Sequence, residues 1–330
     1  LYVILTTISV ILTLTKNQLA QDRAMKKIEI GPWRVSNIGL GCMNFTIPGG
    51  VGLTDPELGI KAIHDALDAG IDFLDTADIY APSWDEFGKN EKFVAEALSS
   101  YSGNSKGLVV ATKGGITRRP GEEFGRNGSV DYLLRAAEAS CYRLGVSKIQ
   151  LWQHHRLDPS MEFETQVENL MALKEAGFVE HLGVSNYNAE QLTTAIEISG
   201  GEIVSVQNQF NPYYRQDLEV LSVCLANDIA FLPWSPFGGS NRAKDAETTK
   251  VFEDLANELS ISSHAAVIAW LLTIPGCIPI PGATKSENIK DLLAASEVEL
   301  TEQQKLAIAE ALPESEELHW ELIDQPAFRA

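Results

Sequence analysis

The stretch Phe73-Leu74-Asp75-Thr76-Ala77-Asp78-Ile79-Tyr80 decides how this chain is read. The apolar run Ala69-Gly70-Ile71-Asp72-Phe73-Leu74 reads as a short buried strand, with Asp75 at its end and Tyr80 five residues on in a polar loop. Working outward, Leu108-Val109-Val110-Ala111-Thr112 is a second such strand and ends in Lys113. Ile149-Gln150-Leu151-Trp152-Gln153 is a third, running into His154-His155-Arg156-Leu157-Asp158. A carboxylate, a phenol, an ammonium and an imidazole thus stand at the carboxyl ends of strands, where parallel α/β folds gather their chemistry. That set of groups suits proton transfer to a carbonyl oxygen.

From about Lys26 onward, strand-like and helix-like runs alternate without a long linker. The expected strands are 38–42, 73–76, 108–113, 149–154, 180–184, 203–208, 230–233 and 277–280, eight in all. Between them lie amphipathic helices. The clearest has apolar Val130, Leu133, Leu134, Ala137, Cys141 and Leu144 at helical spacing, Ser129 as its N-cap and Gly145 past its end. Gly70 and Gly177 close two others in the same way. Repeated strand–helix units predict a parallel sheet with right-handed crossovers, and eight of them fit an α/β fold of the closed (β/α)8 TIM-barrel type. Ile28-Glu29-Ile30 and Arg34-Val35-Ser36, flanking Gly31-Pro32, predict a short N-terminal hairpin that closes the barrel bottom. A doubly wound dinucleotide fold is the rival. Gly39-Leu40-Gly41-Cys42-Met43-Asn44 carries only the first two glycines of its G-x-G-x-x-G fingerprint.

With 330 residues and 45% hydrophobic content the chain can bury a large core. A net charge of −19 argues against a nucleic-acid or anionic-membrane surface. Cys42, Cys141, Cys224 and Cys277 are far apart, with no CxxC pair, and read as buried thiols in a reducing, cytoplasmic setting. Residues 1–15 are apolar and uncharged, yet match neither a membrane span of ~20 residues nor a signal peptide with a basic start. The expected organisation is therefore an extension over residues 1–25, outside the fold, with a weak anchor or signal as the other reading, and one barrel domain over 26–330. Met25, just before Lys26-Lys27-Ile28-Glu29-Ile30, is the expected natural start.

Taken together, these stretches resemble the aldo-keto reductase superfamily, in particular its bacterial aldehyde and pyridoxal reductase branch. Residues 73–80 resemble the Asp-Thr-Ala-x-x-Tyr signature, Val110-Ala111-Thr112-Lys113 the lysine strand, and His155-Arg156-Leu157-Asp158-Pro159 the His-Arg-Pro-Asp-Pro stretch. The resemblance implies a catalytic tetrad of Asp75, Tyr80, Lys113 and His155. His154 stands where the family is usually apolar, and packing is its expected duty. Gly183-Val184-Ser185-Asn186 resembles the Gly-x-Ser-Asn motif, so Ser185, Asn186 and Gln207 are implied to hold a nicotinamide carboxamide. A plain N-cap for the next helix is the other reading of Ser185-Asn186. Trp234 takes the position of the aromatic that stacks on the nicotinamide, usually tyrosine. Ser235, Phe237, Gly238 and Gly239 are implied to line the pyrophosphate, and Met43 joins the cofactor-binding set. Ile280-Pro281-Gly282-Ala283-Thr284-Lys285-Ser286-Glu287-Asn288 resembles the adenosine-phosphate segment. Thr284 and Glu287 are expected to form a capping box there. Lys285 and Ser286 suit a 2′-phosphate, while Gly282 and Asn288 replace the Lys and Arg of many members. NADPH is thus the expected cofactor, with NAD possible. Phe45, Trp84 and the loop 81–90 are expected to wall the substrate pocket, with the loop after Trp234 as a lid.

A neutral phenol is a weak acid at pH 7, and a neighbouring ammonium is expected to lower its pKa by ~1–3 units. Tyr80 would then donate a proton to a small carbonyl substrate as hydride arrives, with Lys113 beside it, Asp75 holding Lys113 and His155 orienting the carbonyl. Two rival functions are a nicotinamide-binding regulatory subunit without turnover and a metal-dependent barrel hydrolase using His154, His155 and Asp158. The motifs imply no metal.

Overall fold

A computed structural model describes residues 25–215, 218–239, 249–312 and 314–315. Residues 1–24 of the expected extension and 240–248 of the expected lid lie outside the described residues. The strands are β1 Lys27–Ile30, β2 Trp33–Ser36, β3 Leu40–Gly41, β4 Phe73–Asp75, β5 Val109–Gly114, β6 Ile116–Arg119, β7 Glu123–Arg126, β8 Ile149–His154, β9 Val179–Ser185, β10 Ile203–Gln207 and β11 Ala230–Phe231. Besides the single turn Val51–Thr54, the α-helices among the described residues are α1 Pro56–Asp68, α2 Lys89–Ser100, α3 Val130–Leu144, α4 Phe163–Glu175, α5 Ala189–Ser199, α6 Leu218–Ala226, α7 Lys250–Leu259, α8 Ser263–Leu271, α9 Ser286–Glu297 and α10 Glu302–Ala311.

Local chemistry sets the helix ends. Asp55 caps α1 by accepting from Leu58 N–H at 3.1 Å, with Pro56 at the first helical position. Asn188 and Gln191 form a capping box on α5. The chain leaves α3 at Gly145, whose φ of 70° no β-carbon opposes. The buried residues Leu133, Ala137 and Cys141 turn one stripe of that helix to the sheet.

Seven strands form a curled parallel sheet in the order β11-β10-β9-β8-β5-β4-β3. The expected eighth strand, 277–280, makes an isolated parallel bridge, Phe231 to Cys277, rather than a ladder. Its backbone nevertheless bonds to both free edges. Ile278 N–H donates to Phe231 O at 2.8 Å on one side, while Gly39 and Gly41 N–H donate to Pro279 O and Pro281 O at 2.9 and 3.0 Å on the other. Pro279 and Pro281 have no N–H to return toward β3, so that seam carries hydrogen bonds one way only. The barrel is closed by an extended segment with a proline-thinned edge.

Period-two alternation splits the core in two. Phe73, Val109, Ala111, Leu151, Ala230, Leu232, Ile278 and Ile280 fill the barrel with Ile30 and Val35 of the β1–β2 hairpin, which thereby plugs the bottom as expected. The other parity, including Leu74, Trp152, Leu182 and Val206, packs against the helices. Continuing the inward rows toward the carboxyl ends, Phe73 gives way to Asp75, Ala111 to Lys113, Leu151 to Gln153 and Ser205 to Gln207. The barrel axis is apolar below and polar above, and the polar end is where the strands deliver their chemistry.

A third, two-stranded sheet, β6–β7, was not anticipated from the apolar pattern. It leaves the barrel directly after Lys113. All four cysteines are buried and free. Among the described residues no helix is long and apolar enough to cross a membrane.

Candidate active site

Lys113 is fully buried, and its Nζ donates to Asp75 Oδ2 at 2.6 Å and to Thr76 O at 2.9 Å. An ammonium with no water contact is tolerable only because a carboxylate faces it and backbone oxygen takes another proton. Asp75 is saturated in turn. Its Oδ1 accepts from Gln153 Nε2 at 3.1 Å and from Gln207 Nε2 at 2.8 Å. Burial works against the Lys113 ammonium, but Asp75 and Tyr80 more than offset it and hold its pKa above the ordinary value.

Tyr80 lies with its ring 5.0 Å from Lys113 Nζ and edge-on to the His155 ring at 5.8 Å. The four expected catalytic groups therefore meet in one place. Burial pushes the Tyr80 phenol above its usual pKa, and the Lys113 charge is the largest influence pulling it down. The expected net depression does not occur in the chain alone, because desolvation outweighs the cation. Tyr80 is accordingly protonated at neutral pH, as a proton donor must be. Burial first, then the charges of Lys113, Arg156 and Arg126, keep His155 well below the ordinary histidine pKa, so its imidazole is neutral.

Two residues at the start of α2 hold the ion pair's strands, and sequence reading passed over both. Asn90 is fully buried; it accepts from Thr76 Oγ1 at 2.6 Å and donates to Cys42 O and Thr46 Oγ1 at 2.8 and 2.7 Å. Glu91, also buried, accepts from Thr112 Oγ1 at 2.6 Å and pairs with Arg143. Thr76 follows Asp75 and Thr112 precedes Lys113, so α2 fixes both partners from behind. The signal was available: two adjacent polar residues opening an amphipathic helix just after Tyr80. Gln153 was equally legible as a polar residue in an inward, otherwise apolar row.

Beside this centre, Ser185 Oγ donates to Gln207 O at 2.7 Å and accepts from Asn186 Nδ2 at 2.7 Å. Asn186 has a left-handed φ of 61° and accepts from Trp234 Nε1 at 3.2 Å. The N-cap reading of Ser185-Asn186 is corrected: α5 begins three residues later and takes Asn188 as its cap. His154 lies on the helix-facing side, its Nδ1 2.9 Å from Tyr187 OH. Asp158 is committed elsewhere, accepting from Ser160 N–H and Oγ and from Gly128 N–H. No group of three or more His, Cys, Asp or Glu placed to hold a metal occurs among the described residues.

Residues 37–313 match the family model described as the aldo/keto reductase family. The chain belongs to the aldo/keto reductase family. It is 31% identical over 281 residues to an uncharacterised oxidoreductase of Schizosaccharomyces pombe, covering 84% of this chain and 86% of the relative. It is 30% identical over 294 residues to a 6-dehydroglucose reductase of Novosphingobium aromaticivorans, covering 86% and 91%. In fold it matches an aldo/keto reductase of Klebsiella pneumoniae solved with NADP and acetate, with a TM-score of 0.72, 22% identity and coverage of 89% and 98%.

Aldo/keto reductases use nicotinamide cofactors, and the residues present fit one. Gly282 gives a close approach, since a β-carbon there would lie 2.5 Å from Asn44 Nδ2. Gly238 and Gly239, both at φ 86°, and Ser235 at φ 50° shape the loop after Trp234, and Phe237 packs edge-on against His264 at 4.7 Å. The expected capping box at Thr284 is corrected. Helix α9 starts at Ser286 with Lys285 as its cap and no side-chain bond to its first turn. Its first two amides, beside the exposed Lys285 and Asn288, thus have no side-chain cap. Ser286 Oγ donates to Asp65, and Lys61 Nζ lies 3.5 Å from the same hydroxyl, so helix α1 adds two charges to this end that the segment alone did not reveal. Met43 packs beside Tyr80, Ile79 and Ile116. The two expected pocket residues part company. Trp84 is 40% exposed, whereas Phe45 is fully buried and stacks on Phe93 of α2 at 5.6 Å, in the core rather than in a pocket wall.

Proposed function

We propose that this chain is an NADPH-dependent reductase of aldehydes and ketones acting in the cytoplasm, with NADH accepted less well. The observation that carries the reading is the fully buried Lys113–Asp75 pair set 5.0 Å from the ring of a protonated Tyr80. NADPH, when bound, supplies the hydride. Ser185, Asn186 and Gln207 would hold its carboxamide, Trp234 would fix the ring plane, and the amides opening α9 with Lys285 and Ser286 would take the adenosine phosphates. Tyr80 gives its phenolic proton to the carbonyl oxygen as the carbonyl carbon accepts hydride. The Lys113 ammonium then stabilises the phenolate left behind, which solvent reprotonates. His155, kept neutral by its surroundings, donates a hydrogen bond that orients the carbonyl without adding a competing charge. The reverse oxidation uses the same groups.

The four buried thiols suit a reducing compartment. The decisive assay follows NADPH oxidation against a panel of aldehydes, ketones and pyridoxal. Turnover of at least one carbonyl supports the reading. Tight NADPH binding with no turnover across the panel would favour a regulatory subunit on the same barrel instead.

A further inference from the structure

The β6–β7 hairpin leaves the barrel immediately after the strand that carries Lys113 and folds over the loop that carries Tyr80. Asn127 N–H closes its base on Gly115 O at 2.9 Å. Ile116 belongs to the small buried cluster around Tyr80, Ala77 and Ile79, and Phe124 packs against that cluster. Tyr132 OH donates to Ile116 O at 3.1 Å and holds the root of the hairpin, while one arginine ties its outer part to the Tyr80 loop. Arg118 Nη1 donates to Ala81 O at 2.8 Å and Nη2 to Pro82 O at 3.3 Å, the two carbonyls directly after Tyr80. The same guanidinium pairs through Nε and Nη2 with Glu122, and lies over the Phe124 ring at 5.2 Å. Glu122 in turn accepts from Trp84 N–H at 3.1 Å. The Arg118 side chain is only 8% exposed, so these bonds are largely shielded from water.

Glu122 reaches both partners from a left-handed backbone, φ 63°, that a non-glycine residue rarely adopts. The turn Pro120-Gly121-Glu122 thus carries a strained residue at the position that fastens Arg118 and the Trp84 backbone together. On the other side of Tyr80, Asp78 N–H donates to Lys113 O at 3.1 Å. The carbonyl of Tyr80 itself accepts from Asn90 N–H at 3.1 Å and from Thr46 Oγ1 at 3.3 Å, which fixes the near side of the loop, while Arg118 fastens the carbonyls that follow it to the hairpin.

We propose that Arg118 is a positioning residue for Tyr80. Through Ala81 and Pro82 it fixes the distance of the phenol from Lys113 and from the carbonyl to be reduced, and Glu122 keeps the guanidinium plane in register. A lysine cannot replace it, because a point charge cannot span two carbonyls and a carboxylate at once. The inference rests on Tyr80 being the proton donor.

The test uses the full chain with Arg118→Lys, Tyr80→Phe and the double variant, with kcat, KM and NADPH affinity from quenching of tryptophan fluorescence. Arg118→Lys is expected to lower kcat about 10–10²-fold, the scale of a misplaced reacting group, with NADPH affinity within about twofold of the parent. On the Tyr80→Phe background the same change is expected to cost little more, because it acts through the hydroxyl already removed. Glu122→Gly relieves the left-handed strain, which offsets part of the lost pairing with Arg118, so it should remain folded at the assay temperature, checked by its melting curve, while lowering kcat by about 3–10-fold. It carries the test if Arg118→Lys folds poorly. Parental kcat in both variants, or an equal fold-loss with and without the Tyr80 hydroxyl, would overturn the positioning role. Near-parental turnover by Tyr80→Phe would instead remove the proton-donor reading on which it rests.

Discussion

Gln207 donates its side-chain amide to Asp75 at 2.8 Å, while Asp75 holds Lys113 with its other oxygen at 2.6 Å. One residue from the expected nicotinamide face is thereby bonded to the ion pair beside Tyr80, the proposed proton donor. Replacing Gln207 by Leu should lower NADPH affinity and kcat together. Gln153→Leu, which removes the other donor to Asp75, should lower kcat and leave NADPH affinity near the parent's. Each change removes a hydrogen bond to a buried charge, about 1.5–3 kcal/mol in unfolding free energy. Urea unfolding and cofactor titration separate the two. An identical profile for both variants would disconnect Gln207 from the cofactor.

The support behind the strands has its own signature. Asn90→Ala leaves Thr76, Thr46 and the Cys42 carbonyl without their shared partner in a site closed to water. A destabilisation of about 2–4 kcal/mol is expected, together with reduced kcat, since Thr76 adjoins Asp75. Unchanged unfolding free energy would mean that water or rearrangement satisfies these groups.

How much of this was readable beforehand depends on whether the signal was local. Asp75 and Lys113 announce themselves by ending apolar runs, Tyr80 by the loop that follows the first and His155 by its place just past the third, and the barrel then brings them together. Phe45 was misplaced because an aromatic near a glycine-rich turn looks the same whether it faces a pocket or Phe93. The α9 cap was misplaced by one residue because Thr284 and Glu287 have the right spacing, yet the chain stays extended through Lys285. The β6–β7 hairpin escaped because Ile116-Thr117-Arg118-Arg119 has too little alternation to read as a strand. Its order comes from Arg118 reaching a loop 36 residues away, a contact that no local pattern encodes. The eighth strand's thin edge was legible in principle, since Pro279 and Pro281 occupy alternate positions of it.

Stability should fall in mild acid. Burial holds the folded pKa of His154 down to about 4, against 6.5 for the free side chain, and His155 is displaced in the same direction. A depressed pKa means that the folded state resists a proton the unfolded chain accepts. The contribution is therefore complete above about 6.5 and is lost as pH falls toward 4. For His154 alone the loss between pH 7 and 5 is roughly 2 kcal/mol. His154→Leu should flatten that part of the pH–stability curve in urea unfolding. A slope equal to the parent's would show that His154 takes no proton on unfolding.

Cofactor selectivity should follow the charges at the α9 end. Lys285→Ala is expected to weaken NADPH binding by ~1–3 kcal/mol and to leave NADH little changed. Asp65 occupies the Ser286 hydroxyl, so Asp65→Asn should shift the preference further toward NADPH by removing a negative charge from the 2′-phosphate's neighbourhood. Equal effects on both cofactors would take these residues out of the 2′-phosphate site.

The central claim is that Tyr80, made effective by Lys113, protonates the carbonyl oxygen. The most direct measurement is the single-turnover rate of carbonyl reduction by Tyr80→Phe, by Lys113→Met and by the two combined, with NADPH affinity read in parallel. The ring of Phe fills the same space, so fold and NADPH affinity should hold while the rate falls ~10²–10⁴-fold, the contribution of a positioned general acid. The double variant should be little slower than Tyr80→Phe alone, because Lys113 acts through the phenol. A folded, NADPH-bound Tyr80→Phe that turns over near the parental rate would contradict the account and leave His155 as the acid.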